Sequence, residues 1–160
     1  MGGESPGMKW MLGSLIGMVW MVSNVTAMDP GLEALVNGKR FMEENGKRQG
    51  VKTTASGLQY EILKMGEGAK PTAASTVTVH YRGTLINGEE FDSSYKRGEP
   101  ISFPLRGVIK GWTEVLQLVP VGTKLRAVIS PKLAYGERGA GPKIGPGETL
   151  IFDIELLEIQ

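Results

Sequence analysis

Cysteine is absent from the 160 residues, and histidine occurs once, as His80. Without cysteine the chain forms no disulfide, uses no thiolate nucleophile and offers no Cys/His zinc set. Any histidine-based catalytic triad would have to rest on His80 alone. A surplus of one charge is missing too: 18 basic and 17 acidic side chains leave a formal net charge of +1. A nucleic-acid partner needs a clustered basic excess, so no such partner is expected. Long hydrophobic runs are scarce. The one that stands out, Trp10–Val22, has 13 residues, the length of a signal-peptide core and short of the roughly 20 that cross a membrane. It follows Lys9 and leads to Val25-Thr26-Ala27, a small-residue pattern that suits signal peptidase. Residues 1–27 therefore read as a signal peptide for export, leaving no stable membrane span after cleavage. An uncleaved anchor and a buried apolar helix are the alternatives.

What is plentiful is glycine, 23 residues without a repeat, which points to many turns between short strands. The length suits one domain with an appendage. Asp29-Pro30 is a helix start, since aspartate caps and proline fits the first helical position. The helix that follows alternates charge at four-residue spacing (Lys39-Arg40, Glu43-Glu44, Lys47-Arg48) and carries only a thin apolar stripe of Leu32, Leu35, Val36 and Met42. Gly38 and Gly46 weaken it, and Gly50 is its expected end. It reads as a solvated arm or half of an interface, residues 28–56 with its linker.

From residue 57 onward the texture is alternation. Leu58, Tyr60 and Ile62 share one strand face, as do Val77, Val79 and Tyr81, then Leu125, Ala127 and Ile129, then Leu150, Phe152, Ile154 and Leu156. Asn87-Gly88 is a strong hairpin signal. Only Gly111–Val119 has helical spacing here, closed by Pro120. Several antiparallel strands around one short helix make an α+β domain over residues 57–160.

Chemical motifs are few. The segment "GAGPKIGPG" (139–147) combines glycines with Lys143, but no Ser/Thr follows the lysine and the segment runs into a strand. No helix N-terminus meets a phosphate there, and the nucleotide reading fails. His80 points away from the face of Val79 and Tyr81, as a surface or hydrogen-bonded histidine. Nothing calls for a metal or another cofactor. The aromatic residues Tyr81, Phe91, Phe103, Trp112, Tyr135 and Phe152 fall at strand ends, at the start of the short helix or in loops. Taken singly, each is as well explained by a small core.

Their order adds something. "VTVHYRGTLINGEEFDSSYKRGEP", "FPLRGVIKGW", "ISPKLAYGERGAG" and "TLIFDIELLEI" follow one another across residues 77–159. This resembles the FKBP-type peptidyl-prolyl cis-trans isomerases, and "ENGKRQGVKTTASGLQYEIL" (44–63) looks like the junction in Mip-like and FkpA-like bacterial members. The resemblance implies an antiparallel half-barrel wrapped around one short helix, with an N-terminal helical arm. It implies a proline pocket floored by Trp112 and walled by Tyr81, Phe91, Phe103, Val108, Ile109 and Phe152. Asp92 would lie at the rim. Tyr135 would offer its hydroxyl, and Ile109 its N–H, to substrate carbonyls. Ile144 would close over the site. Partners would be proline-containing polypeptides and macrolides of the tacrolimus/rapamycin type, with a homodimer through residues 29–49 possible. The junction points to a bacterial periplasm, with the ER lumen or secretion as alternatives. The competing function is a chaperone module that binds proline or apolar segments with little turnover.

Overall fold

The computed structural model describes residues 28–160, and the signal-peptide reading of residues 1–27 lies outside them. The residues from Gly31 to Gln160 pack as one compact unit. Its frame is a seven-stranded antiparallel sheet: β1 (Lys52–Thr53), β2 (Gln59–Lys64), β3 (Thr76–Leu85), β4 (Glu90–Ser93), β5 (Ile101–Pro104), β6 (Lys124–Ile129) and β7 (Leu150–Ile159). The order is β1-β2-β6-β7-β3-β4, with β5 pairing the other half of β3. One edge of β3 is thus shared: Thr76–Val79 take β5, and Arg82–Thr84 take β4. The Asn87-Gly88 hairpin forms as expected. Gly88 has φ +90°, and Asn87 Oδ1 accepts the Glu89 N–H at 2.9 Å.

Period-two alternation decides the two faces. Val77, Val79, Tyr81, Leu125, Ala127, Ile129, Phe152, Ile154 and Leu156 all point to one side and are buried. There they meet the short helix α3 (Lys110–Leu116), which contributes Trp112, Val115 and Leu116 to the same core. Each fully buried Leu, Val or Ile contributes roughly 1.5–3 kcal/mol. Close packing requires Gly111, where a Cβ would sit 2.6 Å from Ile129 Cγ2. The helix is shorter than its spacing suggests, ending at Leu116 because Gln117 and Leu118 bond back to Glu114 and Val115 in a tighter turn.

Helix α1 (Pro30–Gly46) departs further from expectation. Its glycines are points of close approach. A Cβ at Gly38 would collide with the Thr149 side chain, and one at Gly46 would lie 3.0 Å from Gln59 Nε2. Asn45, buried at 7% exposure, donates from Nδ2 to Gln59 Oε1 at 2.8 Å. Gln59 Nε2 in turn donates to the Met42 carbonyl at 2.8 Å. Phe41 and Asn45 line a small cavity with Val128 and Ile151, two residues on the outer face of the sheet. The helix therefore lies against that face, while Leu32, Leu35 and Val36 stay 40–51% exposed.

Two elements had no clear sequence signal. Strand β5 is a four-residue edge piece, and α2 (Ser94–Arg97) is a single turn capped by Ser93 Oγ, which accepts the Lys96 N–H.

Candidate active site

At one end of the core the aromatic residues leave a cavity of about 680 Å³. Its floor is Trp112, in the first turn of α3, with 4% exposure. Three rings surround the indole nearly at right angles: Tyr81 at 5.1 Å and 83°, Phe152 at 5.3 Å and 85°, and Phe103 at 5.6 Å and 89°. Edge-to-face contact matches the ring quadrupoles and holds each ring in place. Phe91 adds a fifth ring, meeting Phe152 at 5.4 Å and 88°. It fits because β3 carries Gly83 opposite: a Cβ there would fall 2.5 Å from Phe91 Cζ and 2.8 Å from Phe152 Cε1.

The remaining wall comes from two connections. Val108 and Ile109 precede α3, and the Ile109 carbonyl accepts the Trp112 N–H at 3.0 Å. Ala134 and Tyr135 follow the turn Pro131–Leu133, and Tyr135 is 41% exposed.

The rim is a three-residue polar cluster. The Tyr81 hydroxyl donates to Asp92 Oδ2. Arg97 Nη1 donates to Asp92 Oδ1 at 2.5 Å, and Arg97 Nη2 donates to the Tyr81 oxygen at 3.1 Å. Burial, with Asp92 beside it, holds the Tyr81 phenol above its ordinary pKa, so it stays a neutral donor. Burial alone would push Asp92 up, but hydrogen bonds from Tyr81 and Arg97 outweigh it and leave the carboxyl below its usual value. The site therefore pairs an ionised acceptor with a neutral donor and a guanidinium, around an otherwise apolar cage.

Nine of the ten residues singled out from sequence line this one cavity: Tyr81, Phe91, Asp92, Phe103, Val108, Ile109, Trp112, Tyr135 and Phe152. Ile144 does not. Its side chain is buried at 8% exposure, packed with the core, while its backbone bridges to Ala140. Ile101, Gly107, Ala134 and Arg97 line the cavity without having been singled out. Arg97 had one available signal, its place five residues after Asp92 on a turn that brings it back. Among the described residues, no group of three His, Asp or Glu is placed to hold a metal ion.

Residues 67–157 match the family model of the FKBP-type peptidyl-prolyl cis-trans isomerases. The chain belongs to that family. Residues 25–62 match the domain that lies amino-terminal to the FKBP-type isomerase domain. An FKBP-type 22 kDa peptidyl-prolyl cis-trans isomerase of Escherichia coli K12 is 55% identical over 122 residues, 76% of this chain and 59% of its own. The crystal structure of FkpA from Escherichia coli superposes with a TM-score of 0.80 at 42% identity, over 96% of this chain and 71% of that one. A peptidyl-prolyl cis-trans isomerase from Pseudomonas syringae pv. tomato DC3000 gives a TM-score of 0.77 at 40% identity, over 84% of this chain and 98% of that one. The chain spans about half the length of the curated relatives it matches. In this FKBP-type fold the aromatic cage lies where β3, β4 and β7 meet the start of α3.

Proposed function

We propose that this chain is a peptidyl-prolyl cis-trans isomerase acting on exported polypeptides. The observation that carries the reading is the five-ring cage around Trp112 with the Tyr81–Asp92–Arg97 cluster on its rim. Rotation about a peptide bond faces a barrier of roughly 18–20 kcal/mol because it breaks amide resonance. For X–Pro both isomers are populated, and uncatalysed exchange takes tens to hundreds of seconds. No bond is made or broken, so no nucleophile is needed.

The proline ring fits the cage over Trp112, between Tyr81, Phe103 and Phe152. The twisted amide is less polar than the planar one, so removal from water favours it, which is differential binding of the transition state. Tyr135 then donates its hydroxyl to a substrate carbonyl and the Ile109 N–H serves a second one, fixing the chain on either side of the rotating bond. Asp92 holds Tyr81 against the ring.

The test is cis-to-trans conversion of an X–Pro peptide by residues 28–160, with and without a macrolide of the tacrolimus/rapamycin type. Acceleration that the macrolide abolishes is expected; a folded protein showing neither effect ends the isomerase reading and leaves the binding module. Tyr135→Phe and Asp92→Leu should each lower kcat/KM by about tenfold, roughly the loss of one well-placed hydrogen bond, while circular dichroism stays native. Unchanged rates would refute those roles. Export to a bacterial periplasm is part of the proposal, supported by the Trp10–Val22 run and the Val25–Ala27 pattern. N-terminal sequencing of the secreted product should begin near Met28.

A further inference from the structure

Ser94, the first residue of α2, is wholly buried at 0% exposure. Pairing of β3 with β4 ends at Arg82↔Ser93, so the backbone of Tyr81 lies one step beyond that ladder. The Ser94 side chain takes over from it. Its Oγ accepts the Tyr81 N–H at 2.7 Å and lies 3.2 Å from the Tyr81 carbonyl oxygen. The third neighbour of Ser94 Oγ is His80 Nδ1, at 2.6 Å. The histidine is itself held in place: its ring stacks on Tyr95 at 4.4 Å and 7°, and the Tyr95 hydroxyl donates to Glu155 Oε1 at 2.5 Å.

A serine hydroxyl has one proton to give and two lone pairs to receive. One lone pair is committed to the Tyr81 N–H. While His80 Nδ1 carries no proton, the hydroxyl donates to it, and the Tyr81 carbonyl gets nothing from Ser94. Once the ring is an imidazolium, Nδ1–H donates to Oγ, and the serine proton has one acceptor left, the Tyr81 carbonyl. We propose that Ser94 is a positioning residue for Tyr81, that the proton on His80 Nδ1 decides whether Ser94 holds that residue by one backbone group or by two, and that the neutral ring keeps its proton on Nε2, so that loss of the imidazolium frees Nδ1 to accept from Ser94. Tyr81 carries the rim cluster with Asp92 and Arg97 and one wall of the cage, so the grip is felt where the proline ring sits. The inference rests on the isomerase reading of that pocket.

The groups around the imidazole are Ser94 and Tyr95 from α2, and Glu155 from β7, its register partner. Lys124 of β6 stands 3.9 Å from Glu155. Further along the same face of β3, Arg82 pairs with Glu90 of β4, which Lys96 of α2 also approaches.

The experiment is kcat/KM for an X–Pro peptide from about pH 5 to 8, the range in which a histidine changes charge. The 15N–1H resonance of the Tyr81 amide is followed on the same samples. Wild-type kcat/KM should fall about two- to threefold as the imidazolium is lost, with the amide shift moving in step. His80→Phe keeps the stack on Tyr95 and removes Nδ1; it should flatten both curves. Ser94→Ala should flatten both and lower kcat/KM about fivefold at every pH. A flat profile in an active wild-type protein overturns the proposal, and so does a step that survives His80→Phe. A wild-type chain with no turnover removes the isomerase reading instead, and the amide titration then decides the His80–Ser94–Tyr81 coupling alone.

Discussion

At the scale of single residues, the site depends on two opposite requirements, space and charge. Gly83 supplies the space. Gly83→Ala drives a methyl into Phe91 and Phe152, and the expected cost is about 1–3 kcal/mol, as for other insertions into a packed core; urea unfolding measures it. Asp92 supplies the charge. Its folded pKa is depressed relative to an unfolded aspartate, near 3.9. The stability this contributes is therefore present above about pH 3.9 and is lost as pH falls through the folded value. Asp92→Asn should lose stability at neutral pH and show a shallower acid limb in thermal unfolding; an acid limb identical to wild type would remove Asp92 from this role. Because Asp92 stays ionised well above that window, a rate change near neutrality does not come from it.

At the scale of elements, most of the sheet and the cage were legible in the sequence, because alternation and aromatic order are local signals. The strand faces around Val79, Leu125 and Ile154 could be read directly, and so could the Asn87-Gly88 turn. Strand β5 was not legible: Ile101–Pro104 is an edge piece whose pattern is decided by pairing with β3. The role of Gly38 was misread for a related reason. Local propensity counts a helical glycine as a weakness, and only the tertiary position of Thr149 shows it as a docking point. Ile144 is buried and bridged to Ala140 and is not among the residues lining the cavity, which residue type alone does not reveal. The docking of α1 has a measurable consequence. Gln59→Ala removes the acceptor of the buried Asn45 Nδ2 and the side-chain donor to the Met42 carbonyl, which should cost about 1–3 kcal/mol. If thermal stability is unchanged, α1 is held by other contacts.

At the scale of the whole molecule, α1 lies against the outer face of the sheet with one side and leaves Leu32, Leu35 and Val36 exposed on the other. We propose that this exposed side joins two copies through residues 29–49. Sedimentation of residues 28–160 should give twice the chain mass, and a version starting at residue 50 should give a monomer of lower stability; a monomer in both cases ends the idea. The order of the strands has a further consequence, in time instead of space. Strand β7 lies between β6 and β3, pairing Ile129↔Leu150 on one side and Leu85↔Leu150 on the other, yet it comes after both in sequence. Without Leu150–Ile159, no strand joins β1-β2-β6 to β3-β4-β5. A nascent chain stalled before Leu150 should therefore be digested readily by protease, and a chain released in full should resist.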